Sequence, residues 1–111
     1  MAHVVEVTDG PVRVTAASKQ PLRLAVDVSG FDELDLNFVV FEGTNVASRI
    51  ITSMDLDDDS IGWVIVDSFI TTSATGTSRR NFGGLLRYIR WEITSSGTAG
   101  FLISGVGRCW T

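Results

Sequence analysis

The sequence predicts an all-β protein: an antiparallel β-sandwich of the jelly-roll type with about eight strands. Three observations support this prediction. Apolar and polar residues alternate with a period of two along most of the chain. Turn-forming residues interrupt the alternation at intervals of roughly 8–12 residues, as in sandwiches and barrels. The 111 residues, 44% of them hydrophobic, suffice for one core, so we assign residues 1–111 to a single β-sandwich domain.

The predicted strands follow in chain order, and each ends at residues that favour a turn. Two weaker strands come first, separated by Asp9-Gly10-Pro11, because Asp-Gly favours a turn and Pro11 has no amide to donate within a ladder. Six clearer strands follow. The eight predicted strands span residues 3–8, 12–17, 22–28, 34–40, 46–54, 63–70, 85–93 and 99–106. Residues 55–62 and the Ser-, Thr- and Gly-rich residues 71–84 are predicted to be loops.

Residues 31–41 also allow a helical interpretation. Four aromatic or aliphatic residues lie there at near-helical spacing: Phe31, Leu34, Phe38 and Phe41. The neighbouring Val39 and Val40 favour a pleated surface, and the flanking turns fit the length of a strand. We therefore expect a strand and no helix longer than about two turns in the protein.

Charge and composition exclude several classes of protein. The chain has 9 Lys and Arg against 13 Asp and Glu, so it lacks the basic surface that nucleic acid binding requires. No apolar run approaches the roughly 18 residues that span a bilayer, so no membrane partner is expected. One cysteine, Cys109, cannot form an intrachain disulfide and fits a reducing compartment; one histidine, His3, cannot supply a multi-His site. We predict a protein that is not an enzyme and has no cofactor or metal.

The acidic segment 55–59 has the spacing of the start of a calcium-binding loop. Asp55, Asp57 and Asp59 alternate as in an EF-hand, in which hard cations take several carboxylate oxygens. The match then fails, because Ser60 replaces the Gly of the sharp turn and Val66 replaces the bidentate Glu. We expect a solvated turn between two strands and no tightly bound calcium.

Several arginines are candidates for anion binding. Arg79 and Arg80 could grip a carboxylate or phosphate with two guanidinium groups, or could simply make surface contacts. Arg87 falls on the apolar face of its predicted strand. Because an unpaired charge on such a face is costly, we expect Arg87 to lie near a sheet end or to meet a carboxylate.

The three tryptophans could form a platform for sugars, which stack on exposed aromatic faces. Trp63 and Trp91 occupy alternating apolar positions within predicted strands, so core packing is the preferred role for both. Trp110 lies beyond the last predicted strand, where it either packs back on the domain or inserts into a neighbour.

Three short motifs resemble those of discoidin-type, galactose-binding-like jelly rolls. They are Ser53-Met54-Asp55 at the end of a strand, Gly62-Trp63 at the start of the next, and the strand Arg87-Tyr88-Ile89-Arg90-Trp91 after a long loop. The resemblance covers roughly residues 33–106 and implies a jelly roll. The chain lacks the terminal cysteine pair of the extracellular members. It is also similar to small β-sandwich proteins of tailed phages and phage-derived particles, which implies capsid decoration or a tail-associated role.

Apolar residues exceed what one small core requires, and the mean hydropathy is +0.23. If the core side of the strand 34–40 is apolar, pleating turns Val39 and Phe41 outward, and Val64 and Val66 likewise. We predict that another chain covers an outer face carrying some of these residues, with loop 71–84 as the alternative cover. The predicted interface residues are Val39, Phe41, Val64, Val66 and Trp110.

The predicted function is structural. The chain is expected to associate with itself, or to decorate a larger shell or tail protein, in a phage-like particle or virion assembled in the cytoplasm. The alternative is a carbohydrate-binding module that uses the loops at one end of the sandwich.

Overall fold

The computed structural model describes residues 2–69 and 76–109, which form two antiparallel β-sheets packed face to face. The strands are β1 (Ala2–Glu6), β2 (Val12–Val14), β3 (Ser18–Lys19), β4 (Val26–Asp27), β5 (Glu33–Glu42), β6 (Ser48–Ser53), β7 (Val64–Ser68), β8 (Gly76–Phe82), β9 (Tyr88–Ile93) and β10 (Ala99–Arg108). A 3-10 helix covers Leu22–Leu24. The all-β prediction is confirmed, and the helical interpretation of residues 31–41 is wrong because β5 occupies them.

The strand order is that of a jelly roll. Sheet A has the order β1-β10-β5-β8, with β2 also paired to β10. Sheet B has the order β3-β9-β6-β7, with β4 also paired to β9. If β1 with β2, and β3 with β4, each count as one interrupted strand, eight strands form two sheets of four, as a jelly roll requires. The predicted antiparallel β-sandwich is therefore confirmed, with ten strands in the described residues, of which β3 and β8 are not among the eight predicted.

One predicted strand, residues 22–28, is largely wrong. Pro21 precedes a single 3-10 turn in which the Leu24 amide donates to the Pro21 carbonyl at 2.9 Å. Only β4 within this segment joins sheet B, beside β9. The alternation of Leu22 and Leu24 with polar residues resembles a strand, but the fixed φ and missing amide of Pro21 favour the turn that starts there.

The predicted loop 71–84 is also wrong in part, because Gly76–Phe82 forms β8 at the edge of sheet A. This strand carries polar residues on both faces, and among its side chains only Phe82 is buried in the core. An edge strand needs no apolar face of its own along its whole length, so it gives no period-two alternation. Residues 70–75 lie outside the described residues. They include the first part of loop 71–84, which was the alternative cover for the outer apolar face.

The core lies between the sheets and is centred on aromatic contacts that join them. Trp91 of sheet B meets Phe101 of sheet A edge to face, with ring centroids 5.0 Å apart. Phe69, which follows β7, stacks on Phe38 of sheet A at 5.1 Å. The predicted core position of Trp91 is confirmed, since only 5% of it is exposed.

Strand β7 contains a bulge that changes which side chains face the core. Ile51 of β6 pairs with Ile65, whereas the preceding Ile50 pairs with Asp67, so Val66 is the extra residue on β7. Val66 packs against the core and Ile65 is exposed. The prediction that Val66 points away from the core is therefore wrong, because one extra residue shifts the alternation.

Candidate functional site: the outer faces of the two sheets

The outer face of sheet A carries an apolar patch formed by Val39, Phe41 and Leu102, which we call the sheet A patch. Val39 pairs directly with Leu102 across the β5–β10 ladder, and both are half-buried. Phe41 is 48% exposed. Its ring lies over Gly100, where an added Cβ would approach the Phe41 ring to 2.7 Å. The absence of a side chain at Gly100 thus leaves the space that the Phe41 ring occupies on the outside of the sheet.

Beyond this patch, the same face is ionic. Asp35 on β5 forms ion pairs with Arg108 of β10 and, at 3.8 Å, with Arg79 of β8. The Asn81 amide donates to the same carboxylate at 2.8 Å. The Asp35 side chain therefore links β5 to β10 on one side and to β8 on the other. These polar contacts border the sheet A patch on the outer face of the sheet.

Part of the outer face of sheet B is covered by residues 54–63, which we call the covering loop. Arg90 points outward from β9, since its neighbours Ile89 and Trp91 face the core, yet Arg90 is only 1% exposed. Its Nη2 donates to Asp59 Oδ1 at 2.6 Å, and its Nε donates to the Gln20 carbonyl at 2.8 Å. The covering loop is thereby attached to the middle of the sheet.

Trp63 is part of this cover and does not belong to the core. Its ring centroid lies 4.8 Å from the Arg90 guanidinium carbon, a cation–π distance, and its Nε1 donates to the Asp58 carbonyl at 2.9 Å. The core position predicted for Trp63 is wrong. β7 begins one residue after Trp63, and the Trp63 ring packs on the buried Arg90 of β9, two strands away, instead of entering the core.

The acidic segment is a turn, in agreement with the sequence prediction. The Asp58 carboxylate accepts from the Ser60 and Ile61 amides, both at 2.7 Å, which lowers the pKa of Asp58. Asp59 is occupied by Arg90. Within residues 2–69 and 76–109, no three His, Cys, Asp or Glu side chains are arranged to hold a metal ion. The expected weakness of calcium binding stays a prediction.

A groove runs along the exposed part of sheet B, and we call it the sheet B groove. It consists of two cavities, of about 580 Å³ and about 230 Å³, that share Lys19, Arg49 and Glu92. Arg49 and Glu92 face each other across the β6–β9 ladder, and Arg49 Nε donates to Glu92 Oε1 at 2.6 Å. The remaining lining residues are Ala17, Ser18, Ile51, Ser60, Trp63, Ile65, Ile93 and Thr94.

A separate pocket of about 280 Å³ lies at one end of the sandwich, and we call it the loop-end pocket. Its lining is mainly apolar, with Arg87 and Ser29 as its polar members; the others are Val28, Phe31, Met54, Leu85 and Leu86. Arg87 forms an ion pair with Asp27 at 3.5 Å, which confirms the expected carboxylate partner.

The other predicted arginine site is divided between two surfaces. Arg79 points to Asp35 on the outside of sheet A, whereas Arg80 pairs with Asp67 of β7 at 2.8 Å, joining the two sheet edges. The backbone amide of Ser68, with help from Arg80, lowers the pKa of Asp67. Since the two guanidiniums point to different carboxylates, they do not form a single anion clamp.

The predicted interface residues do not share one face. Val39 and Phe41 lie on sheet A, whereas Val64 lies on β7 at the edge of sheet B and is 54% exposed. Val66 packs against the core, and Trp110 lies outside the described residues. The role of these residues in an interface stays a prediction, but one continuous face carrying all of them is excluded by the sheet assignments.

Sequence reasoning missed most of the exposed apolar residues around the covering loop. Exposed large hydrophobic side chains cluster in the chain at Met54, Leu56, Ile61, Val64 and Ile65. Periodicity gives no means to find them, because a loop has no face until its attachment to Arg90 is known. Within the described residues, no helix is long and apolar enough to cross a bilayer.

Comparisons with known proteins include a distant structural likeness. No family model and no curated protein matches the sequence. A matching solved structure is described as "Bacillus endospore appendages form a novel family of disulfide-linked pili". It shares 14% identity, covers 96% of this chain and 87% of its own, and has a TM-score of 0.48. With so low a TM-score, the likeness does not bear on what the chain does.

Proposed function

We propose that the protein is a structural subunit that assembles with copies of itself through apolar surfaces outside its sandwich and catalyses no reaction. The observation that carries this proposal is the exposure of Phe41. A phenylalanine that is 48% exposed, beside the paired Val39 and Leu102, forms an apolar surface on a strand in the middle of sheet A. Contiguous apolar surface on a protein exterior is typical of interaction sites.

Exposed apolar residues at one edge of sheet B support assembly into more than a pair. Val64 and Ile65, which point to opposite sides of the sheet, are 54% and 55% exposed on β7, an edge strand of sheet B within the described residues. An edge strand has backbone amides and carbonyls available for a further strand. Two different surfaces on one subunit allow it to contact two neighbours, which is the arrangement of rings and filaments.

The particle that we propose for this subunit is phage-like: a capsid or tail, assembled in the cytoplasm, in which the chain contacts itself or a larger shell protein. This part of the proposal depends on the resemblance of the sequence to small phage β-sandwiches. Negative-stain microscopy of the purified protein, alone and mixed with candidate shell proteins, would test it.

The alternative, carbohydrate binding by the loops at one end, has less support at that location. The loop-end pocket is lined mainly by apolar side chains such as Phe31 and Leu85, with Arg87 already paired to Asp27. Sugar hydroxyls need several polar partners, and burying them without hydrogen bonds is costly. This pocket suits an apolar group better than a sugar.

The experiment that tests self-assembly compares the wild type with a Val39→Thr, Phe41→Ser double variant by light scattering. The wild type is expected to form particles or oligomers, and the variant to be monomeric with an unchanged circular dichroism spectrum. Leu24→Ser is the matched control, because Leu24 is similarly exposed at 50% but lies in the 3-10 helix, away from the sheet A patch.

Two results would contradict the proposal. A wild type that is strictly monomeric at high concentration excludes self-assembly and leaves only decoration of another protein. A double variant that keeps the same assembly and the same stability shows that the sheet A patch is not the interface.

A further inference from the structure

The sheet B groove has polar side chains whose charges are already balanced. Arg49 is paired with Glu92 at 2.6 Å, and Lys19 Nζ donates to the Asp59 carbonyl at 2.8 Å, with the Asp59 carboxylate 3.8 Å away. A ligand entering the groove therefore meets paired charges of both signs. Such a surface gives no strong selection for an anion or a cation.

These pairs still have unused hydrogen-bonding capacity. A guanidinium has five N–H donors, and a carboxylate accepts in about four positions, but the Arg49–Glu92 contact uses one donor and one acceptor. A hydroxyl group is both donor and acceptor, so neighbouring hydroxyls can bind to both members of the pair at once. Ser60, which also lines the groove, adds a hydroxyl.

Apolar groups lie beside these polar ones. The Trp63 ring, Ile51 and the exposed Ile65 line the smaller cavity, and Ala17 lines the larger, whereas the Ile93 side chain turns into the core. A purely apolar ligand would remove water from the ion pairs without replacing its hydrogen bonds, which is costly. A ligand with both hydroxyls and C–H faces matches both kinds of lining, since aromatic and aliphatic side chains pack against the C–H faces.

We propose that the sheet B groove binds a neutral, hydroxyl-rich ligand, namely an oligosaccharide or a segment of a neutral polysaccharide. The larger cavity, about 580 Å³, lies within the range of about 300–1,000 Å³ that is usual for ligand pockets. Its connection to the second cavity through Lys19, Arg49 and Glu92 gives an open, extended site that suits a chain of sugars. This function is separate from assembly through the sheet A patch, which lies on the other sheet, and it shares one residue, Ile65, with the proposed contact at the edge of sheet B.

The test is electrophoresis of the native protein through gels that contain one polymer each. The neutral probes are soluble starch, laminarin, xylan and galactomannan, and polygalacturonate is the anionic comparison. The variant Arg49→Met, Glu92→Met removes both members of the pair on the groove but leaves Trp63 and its contact with Arg90 intact. The matched control Arg13→Met, Glu42→Met removes an exposed cross-strand pair, at 2.9 Å, from sheet A.

At least one neutral polymer is expected to retard the wild type and the control. For that polymer, the groove variant should bind about tenfold more weakly or worse, because it loses hydrogen bonds to charged groups. Circular dichroism of both variants verifies that they are folded. Retardation by none of the neutral polymers would overturn the proposal. So would retardation by polygalacturonate alone, or an equal loss of binding in the two variants.

Discussion

The guanidinium of Arg90 is held between the Trp63 ring, 4.8 Å from its carbon, and the outer surface of sheet B. A charged side chain that is 1% exposed on the outward side of a sheet requires a cover. The covering loop supplies it, and the Asp59 carboxylate and backbone carbonyl accept hydrogen bonds from the same guanidinium at 2.6 and 3.0 Å. One arginine thus fixes the position of a loop that begins after β6 and ends before β7.

Replacement of Asp59 tests this attachment. Asp59→Ala should lower the free energy of unfolding by about 1.5–3 kcal/mol, the usual value of a hydrogen bond to a charged group. The reason is that Arg90 stays buried without its carboxylate. Asp57→Ala, two residues away on the exposed side of the loop, should change it by no more than about 0.5 kcal/mol. Urea unfolding of both variants measures the difference, and equal losses would contradict the attachment.

Trp91 and Trp63 should differ sharply on truncation. Trp91→Ala should cost about 3–5 kcal/mol, the range for a large core aromatic. Trp63→Ala loses mainly its contact with Arg90, a cation–π interaction of about 0.5–2 kcal/mol, and should cost less. Denaturant unfolding provides both values. A loss below about 1 kcal/mol for Trp91→Ala would be inconsistent with its buried position.

These two tryptophans also show what the sequence could and could not predict. β5, β9 and β10 were predicted closely, because their alternate residues enter the core and period two is visible without knowledge of partners. Trp63 sits in an equally apolar stretch. Its role depends on Arg90, 27 residues later in the sequence, and no local pattern contains that contact.

The side chains on the outer faces of the sheets were likewise predicted only in part. Pleating correctly placed Val39 outside sheet A, because β5 is regular there. Phe41 also lies outside, although it is the extra residue between Val40 and Glu42 in the β5–β10 ladder. Pleating failed for Val66, because a bulge depends on how β7 pairs with β6 and not on the composition of β7. The sheet B groove was not predicted, because its lining comes from segments that meet only after the covering loop is attached.

Gly105 on β10 provides a test of close packing between strands. A Cβ at this position would collide with the Asp35 carbonyl oxygen, a backbone atom within the β5–β10 ladder that cannot easily move. Gly105→Ala should therefore destabilise the protein by about 1–3 kcal/mol or more. Gly30→Ala is the control, since nothing lies within 4 Å of its Cβ position. Thermal unfolding that shows equal effects for the two would exclude the predicted clash.

The contacts of Asp67 with the Ser68 amide and with Arg80 predict a dependence of stability on pH. The Ser68 amide and Arg80 lower the pKa of Asp67 below its ordinary value of 3.8. Because the folded state binds this proton more weakly than the unfolded state, Asp67 stabilises the fold above about pH 4. That contribution is lost as the pH falls through the folded pKa. Carboxyl NMR titration should give a midpoint below 3.8 for Asp67, and a midpoint above that value would be evidence against these two contacts.

The matching stability measurement uses Asp67→Asn. The wild type should lose stability as the pH falls from about 5 through the lowered pKa of Asp67, and the variant should lose less, because it has one carboxylate fewer to protonate. Asp57→Asn is the control, since Asp57 lies on the exposed loop. A pH dependence equally reduced in both variants would point to a general charge effect and not to the pair with Arg80.

Strand β10 pairs with β1, β2 and β5. These three strands, all from the first half of the chain, therefore cannot form these ladders before β10 has been synthesised. Its register places Ala2 opposite Arg108 and Leu34 opposite Gly107. During synthesis, sheet A cannot close until residues 99–108 have left the ribosome. Until then β5 has an open edge beside Phe38 and Val40, and β1 has no ladder to join. Such distant pairing slows folding and leaves unpaired strands exposed to other chains. A nascent chain that stops before β10 therefore exposes strand edges that can pair with other chains.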